Sequence, residues 1–212
     1  VNVWLENIWE GLASSSPLDR FNLVLGVIGV WLMTRRSLWA FPVGLVAVSV
    51  QGVLFWDAKF YTDAVLQGFF FGCLAYGWWH WTQHKGAAPE LPVTRLRWRT
   101  RLVGVLAAGV LTAGWGTWLG ANTDAPMPYR DAFIAAFSVL GQIWQVRKRL
   151  ENWPVWATVN LVAIASYWSA ELAFTAFLYG LYLVLGLIGW WSWAKVLRKD
   201  AAVPAQETEP AA

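Results

Sequence analysis

One cysteine, two histidines and only 14% charged residues leave this 212-residue chain little from which to build a disulfide, a metal cage or a charged catalytic pair. A lone Cys73 excludes any intrachain disulfide and says nothing of redox compartment. Cys73, His80 and His84 do fall on one helical stripe, but three ligands on one straight helix rarely close around an ion, and no acidic residue of that run completes a set. The two histidines are better read as marking the end of an apolar run. The sequence also lacks a phosphate-cradling glycine loop, a nucleophile elbow and a paired acidic metal motif, so neither ATP-driven pumping nor hydrolysis is supported. No cofactor and no enzymatic activity are expected.

What the chain has in abundance is apolar surface. Hydrophobic residues make up 58% of it, 18 residues are tryptophan, and the mean hydropathy is +0.43. Those are statistics of a chain whose solvent is lipid. Apolar stretches of spanning length, about 17 to 25 residues, fall at 18–34, 38–56, 60–82, 102–121, 131–147, 153–170 and 172–194. The expected fold is therefore all-α: a polytopic membrane protein with seven transmembrane helices, grouped three, one and three.

The grouping rests on an internal repeat. Gly77-Trp78-Trp79-His80-Trp81 returns as Gly189-Trp190-Trp191-Ser192-Trp193, 112 residues on, with Ala64 falling on Ala176 and Gly68 on Gly180. Upstream, Gly44–Val48 resembles Asn160–Ile164 at a spacing of 116 and Leu25-Gly26 resembles Leu140-Gly141 at 115, which implies a shorter loop in the second copy. With one connecting span between them, two three-helix copies enter the membrane from the same side and are parallel repeats.

Basic residues then set the orientation. Thirteen of the 16, in the groups Arg35-Arg36, Lys85 with Arg95 to Arg101, Arg147-Lys148-Arg149 and Lys195 to Lys199, fall on one side of a seven-span chain. The positive-inside rule puts that side, and the C-terminus, in the cytoplasm and the N-terminus outside. The net charge of +3 is a topology signal and implies no nucleic-acid partner. The expected organisation is an outer N-terminal segment (1–17), a first repeat (18–84), a basic cytoplasmic loop (85–101), a connecting helix (102–121), a second repeat (131–197) and a disordered cytoplasmic tail (198–212). Within the first segment, Trp4, Leu5, Ile8, Trp9 and Leu12 share one helical face, which reads as an interfacial amphipathic helix or as a frayed terminus. Trp-rich outer faces suit membrane lipid, or a second protomer in a homo-oligomer.

Polar side chains at depth are costly and face the interior of a bundle. The amides Gln51, Gln67, Gln142, Gln145 and Asn160 suggest a solute path, the competing reading being helix-to-helix hydrogen bonding. Asp63 lies near the outer end of the third span, where it can attract a cation. Trp153, Trp156 and Asn160 follow one another at i, i+3 and i+7, so two indoles and an amide stack along one face. That line suits a flat, polar-edged or cationic ring, although an aromatic belt accounts equally for Trp153. Tyr167 and Tyr179 are further candidates. Pro154 sits where a first helical turn tolerates a missing N–H.

The run Leu150-Glu151-Asn152-Trp153-Pro154-Val155-Trp156-Ala157-Thr158-Val159-Asn160, with the two Gly-Trp-Trp-x-Trp closures and the three-one-three layout, resembles the PnuC family of bacterial vitamin transporters over about residues 20 to 195. The resemblance implies a fold similar to the SWEET sugar carriers, location in the bacterial inner membrane, and facilitated diffusion of nicotinamide riboside (vitamin B3) with trapping by a cytoplasmic kinase. Relatives carry thiamine or riboflavin. It carries the binding role onto Trp153, Trp156 and Asn160, with Gln51, Gln67, Gln142, Tyr167, Tyr179 and Asp63 as chemical complements. Thiamine-type members have an acidic residue at the Asn160 position, so Asn160 implies nicotinamide riboside. A carrier for thiamine or another vitamin, a SWEET-type sugar carrier and a non-transporting scaffold remain as alternatives.

Overall fold

The computed structural model describes residues 2–59, 61–83 and 90–202, so His84, Lys85 and tail residues 203–212 lie outside the described residues. The described residues form eight helices: α1 (Asn2–Ser14), α2 (Pro17–Thr34), α3 (Ala40–Asp57), α4 (Tyr61–Thr82), α5 (Trp98–Asn122), α6 (Pro128–Val146), α7 (Asn152–Ser169) and α8 (Ala173–Ala202). Each apolar run is helical. The starts follow from local chemistry: at α2, Ser16 Oγ accepts from the Asp19 N–H while Asp19 Oδ2 accepts from the Ser16 N–H, each at 3.1 Å, and Pro17 fills the first helical position. The N-terminal segment is helical and lies on α8, leaving Leu5 and Trp9 exposed. α8 runs on to Ala202, past the boundary expected at 197.

Helices α3, α5 and residues 173–200 of α8 are long and apolar enough to cross a membrane. Large apolar side chains point outward in numbers no aqueous surface carries, with Val110, Val65 and Trp39 more than 70% exposed. Helices α2, α3 and α4 pack in sequence, as do α6, α7 and α8. α5 lies on α6, and the two groups meet where α2 touches α8 and α4 touches α6.

The internal recurrence has one register throughout, 112 residues, and the four-residue drift expected upstream is absent. Among the described residues, four that are not glycine have left-handed backbone, Arg36 and Lys59 in the first half and Lys148 and Glu171 at the equivalent places in the second. Arg36 donates to the Met33 carbonyl and Ser37 to Leu32, while Lys148 donates to Gln145 and Arg149 to Trp144. The matches at 115 and 116 were coincidences among Gly, Leu, Val and Ala, which any two membrane helices share. In the structural register, Asn160 corresponds to Val48 and Trp156 to Gly44.

The tightest packing lies at the end that carries these basic turns. Phe41 meets the Trp81 ring edge-on at 5.0 Å, and its equivalent Trp153 meets Trp193 edge-on at 5.3 Å. Trp81 and Trp193 lie 6.1 Å apart. Trp81 Nε1 donates to the Val146 carbonyl at 2.8 Å and Trp193 Nε1 to the Met33 carbonyl at 3.1 Å, so each half binds the end of the other half's first helix. Gly77 and Gly189 make room for this plug: a Cβ on Gly189 would come within 2.5 Å of the Trp153 ring, and one on Gly77 within 2.6 Å of Phe41. A buried indole cannot yield that distance. Gly189→Ala is therefore expected to destabilise the protein by about 1–3 kcal/mol through overpacking, read as a lowered thermal midpoint in detergent; an unchanged midpoint would show that the plug gives way freely.

Candidate functional site

Away from the plug, cavities open between the described helices, a deep one and a wide one among them. The deep one, about 260 Å³, is lined by α2 (Val30), α4 (Phe70), α6 (Ile134, Ser138, Gln145), α7 (Trp153, Trp156, Val159, Asn160) and α8 (Tyr179, Tyr182, Gly186). The wide one, about 790 Å³, reaches the first turns of α4 and α6 at Asp63 and Asp131 and is walled by Leu111, Trp115 and Leu119 of α5. Ile134 and Ser138 line both. Tyr167, on the wide cavity, stacks on Tyr179, on the deep one, with ring centroids 5.3 Å apart. The two cavities thus adjoin along a tyrosine pair, and the plug closes the deep one at Trp153.

The polar face of the deep cavity is built by α6 and α7. Trp156 Nε1 donates to Gln145 Oε1 at 3.0 Å, which fixes the plane of the indole and orients the Gln145 amide. Gly141 lets that indole lie against α6, since a Cβ there would stand 3.1 Å from the ring. Asn160, one turn beyond Trp156 and buried, adds a second amide on the same line. Among the described residues, no Lys, Arg, Asp or Glu lines this cavity. An aromatic wall with two amides and no ionised group offers stacking and hydrogen bonding, and no partner for an anion.

Of the residues singled out in the sequence, Trp153, Trp156, Asn160 and Tyr179 come together here. Trp153 is 2% exposed and belongs as much to the plug as to the cavity; its Nε1 is buried with no hydrogen-bond partner among the described residues. Tyr167 and Asp63 line the wide cavity instead. Gln142 is buried beside α6's lining residues but lines neither cavity, and its Nε2 lacks a partner among the described residues. Gln51 accepts from Asn22 Nδ2 at 2.6 Å and ties α3 to α2, the helix-to-helix role that competed for it. Gln67 is half-buried on α4 against Gly52 and lines neither cavity. Among the lining residues not singled out for binding are Gln145 and Tyr182. Gln145 stood among the deep amides without being assigned to substrate, and Tyr182 was overlooked although Tyr179, Tyr182 and Gly186 repeat the i, i+3, i+7 spacing of the α7 line.

Comparison with known proteins agrees with this arrangement. Residues 16–195 match the family described as nicotinamide mononucleotide transporter. The riboflavin/roseoflavin transporter RibM of Streptomyces davaonensis is 30% identical over 210 residues, 91% of this chain and 91% of its own. The nicotinamide riboside transporter PnuC of Escherichia coli is 23% identical over 180 residues, 72% of this chain and 74% of its own. A crystal structure of the vitamin B3 transporter PnuC superposes with a TM-score of 0.72 over 92% of this chain and 90% of that one, at 20% identity, a likeness of fold.

Proposed function

Because this chain belongs to the nicotinamide mononucleotide transporter family, a family of membrane transporters, we propose that it carries nicotinamide riboside across the bacterial inner membrane by facilitated diffusion. The observation that carries this reading is the deep cavity: the Trp156–Gln145 pair, Asn160 and two tyrosines, with no Lys, Arg, Asp or Glu among the described lining residues. A pyridinium ring stacks on indole and phenol faces and gains cation–π attraction, while its carboxamide and ribose find the two amides. A phosphate would enter with two negative charges and meet no cation, a cost of several kcal/mol or more. The phosphorylated nucleotide is therefore excluded, and a cytoplasmic kinase that phosphorylates the riboside keeps uptake running inward.

In this reading α2–α8 all cross the membrane, α2–α4 and α6–α8 are parallel bundles of SWEET type, and α5 returns the chain between them. The constant spacing of 112, carried by backbone conformation and by the reciprocal indole bonds, supports it. The basic turns face the cytoplasm, so the wide cavity opens outward and the plug closes the inner end. The bundles rock about the deep cavity to expose it alternately.

A second reading has its own support, since RibM, matched over 91% of its own length, is a riboflavin/roseoflavin transporter. Against it, about 260 Å³ falls below the roughly 300–1,000 Å³ of drug-sized ligand pockets, tight for a tricyclic flavin. Titration calorimetry of the purified protein with nicotinamide riboside, riboflavin, thiamine and nicotinamide mononucleotide decides between them. Binding of the riboside alone is expected, weakened about fivefold in Trp156→Phe, which shrinks the stacking face and releases the Gln145 amide that the indole orients, together about 1 kcal/mol. A preference for riboflavin would keep the carrier and replace the substrate.

A further inference from the structure

The two basic turns that cap the plug are held together by one carboxylate. Glu90 Oε2 lies 3.5 Å from Arg36 Nε and 3.5 Å from Lys148 Nζ. Arg36, in the α2–α3 turn, and Lys148, in the α6–α7 turn, occupy equivalent places in the two halves, with φ of 59° and 54°. The Lys148 side chain is 2% exposed, and its ammonium stands 4.3 Å over the Trp81 ring. Burial pushes that ammonium below the usual lysine range, and the Glu90 carboxylate opposes the shift. Glu90 itself rides on a segment whose hydrogen bonds go to the second half, while Leu91 and Val93 pack on the core that holds Met33, Phe41 and Trp81. Thr94 N–H donates to the Lys148 carbonyl at 3.2 Å and Leu150 N–H returns to Thr94 at 3.0 Å. Leu96 N–H donates to Glu151 Oε2 at 3.1 Å, and Glu151 also pairs with Arg101 at 2.7 Å.

We propose that Glu90 is the latch of a gate at the basic end, a positioning residue that holds the α2–α3 turn against the α6–α7 turn and so keeps the Trp81–Trp193 plug shut. Like charges on facing turns repel when the halves close, and a carboxylate between them turns that repulsion into attraction. Its segment travels with Lys148, so separation of the halves breaks the Arg36 contact and leaves the Lys148 contact made. The latch thus interacts differently with the closed and open states, as a device that shifts their balance must. It rests on the proposed transporter reading for the existence of an open state, and on no particular substrate.

The test is side-specific labelling of the full chain in sealed vesicles with a membrane-impermeant maleimide. The reporter is Ser138→Cys, which faces both cavities, in a Cys73→Ser background. With Glu90 present, labelling is expected from the Asp63 face and not from the Arg36 face. Glu90→Gln is expected to raise labelling from the Arg36 face about tenfold, a modest share of what breaking a buried pair can do, because Glu90 is more than half exposed. In an Arg36→Gln background the same change is expected to add less than about twofold, since the contact that opening breaks is already gone. Labelling from the Arg36 face that does not rise in Glu90→Gln, in protein that stays monodisperse on gel filtration, would overturn the latch; so would a full tenfold rise that survives Arg36→Gln. Equal labelling from both faces before any change at Glu90 would overturn the closed gate. None of these results bears on the choice of substrate, which the calorimetry tests separately.

Discussion

Asn160→Leu is expected to abolish measurable binding of nicotinamide riboside while leaving a folded protein. Asn160 is buried, lines the deep cavity and stands on α7 one turn from Trp156. Leucine has nearly the same length and branching, and replacing a buried amide by an apolar group of like shape is close to neutral for stability. Binding has no such compensation, because a polar group of the substrate desolvated opposite leucine is left unpaired. The loss is expected to reach about 100-fold or more, the discrimination that a site built to hydrogen-bond its ligand shows when a partner is missing. Calorimetry with a thermal melt on the same sample checks both halves; affinity within about threefold of the unsubstituted protein would remove Asn160 from the site.

The second large effect is on stability and concerns Trp153. Trp153→Ala is expected to cost about 3 kcal/mol, the low end for a buried aromatic residue, because part of the hydrocarbon transfer term is missing beside lipid and the cavity term remains. For a chain of this length that is roughly 6–12 °C in thermal midpoint. The ring is held edge-on by Trp193 and seated on Gly189, so nothing near it can collapse into the space. Trp153→Phe keeps part of that packing and removes one ring with its N–H, which has no partner among the described residues. It should melt between the native protein and Trp153→Ala, and any loss of riboside affinity it shows measures what the second ring and its N–H together give to the ligand. Equal melting of all three proteins would mean that Trp153 belongs to the cavity alone.

Much of this molecule was legible in its sequence because the bilayer punishes ambiguity. Apolar runs of the right length had to be helices, and each of them is. The duplicated Gly-Trp-Trp-x-Trp closures were legible because a large ring needs an absent Cβ to lie against, the pairing seen at Gly77 with Phe41 and Gly189 with Trp153. The true register was not legible between the closures, because it is written in backbone conformation. Lys59 and Glu171 share a left-handed φ and nothing in their side chains that would align them. Trp156 and Asn160 were found by helical spacing. Gln51 could not be told from a cavity residue, since an amide that glues α2 to α3 and an amide that binds a solute look alike until Asn22 is seen opposite. Tyr182 was missed through attention to α7, although α8 carries the same period.

The two indole bonds at the plug run in opposite directions, from α4 to α6 and from α8 to α2. Each is a strut whose far end belongs to the other half, so the load across the seam is shared by two equal members. A swivel that lengthens one lengthens its twin at once, and severing one leaves the seam half-braced, not free. In the proposed rocking motion, opening at this end has to break both struts, and neither half is freed by the loss of one.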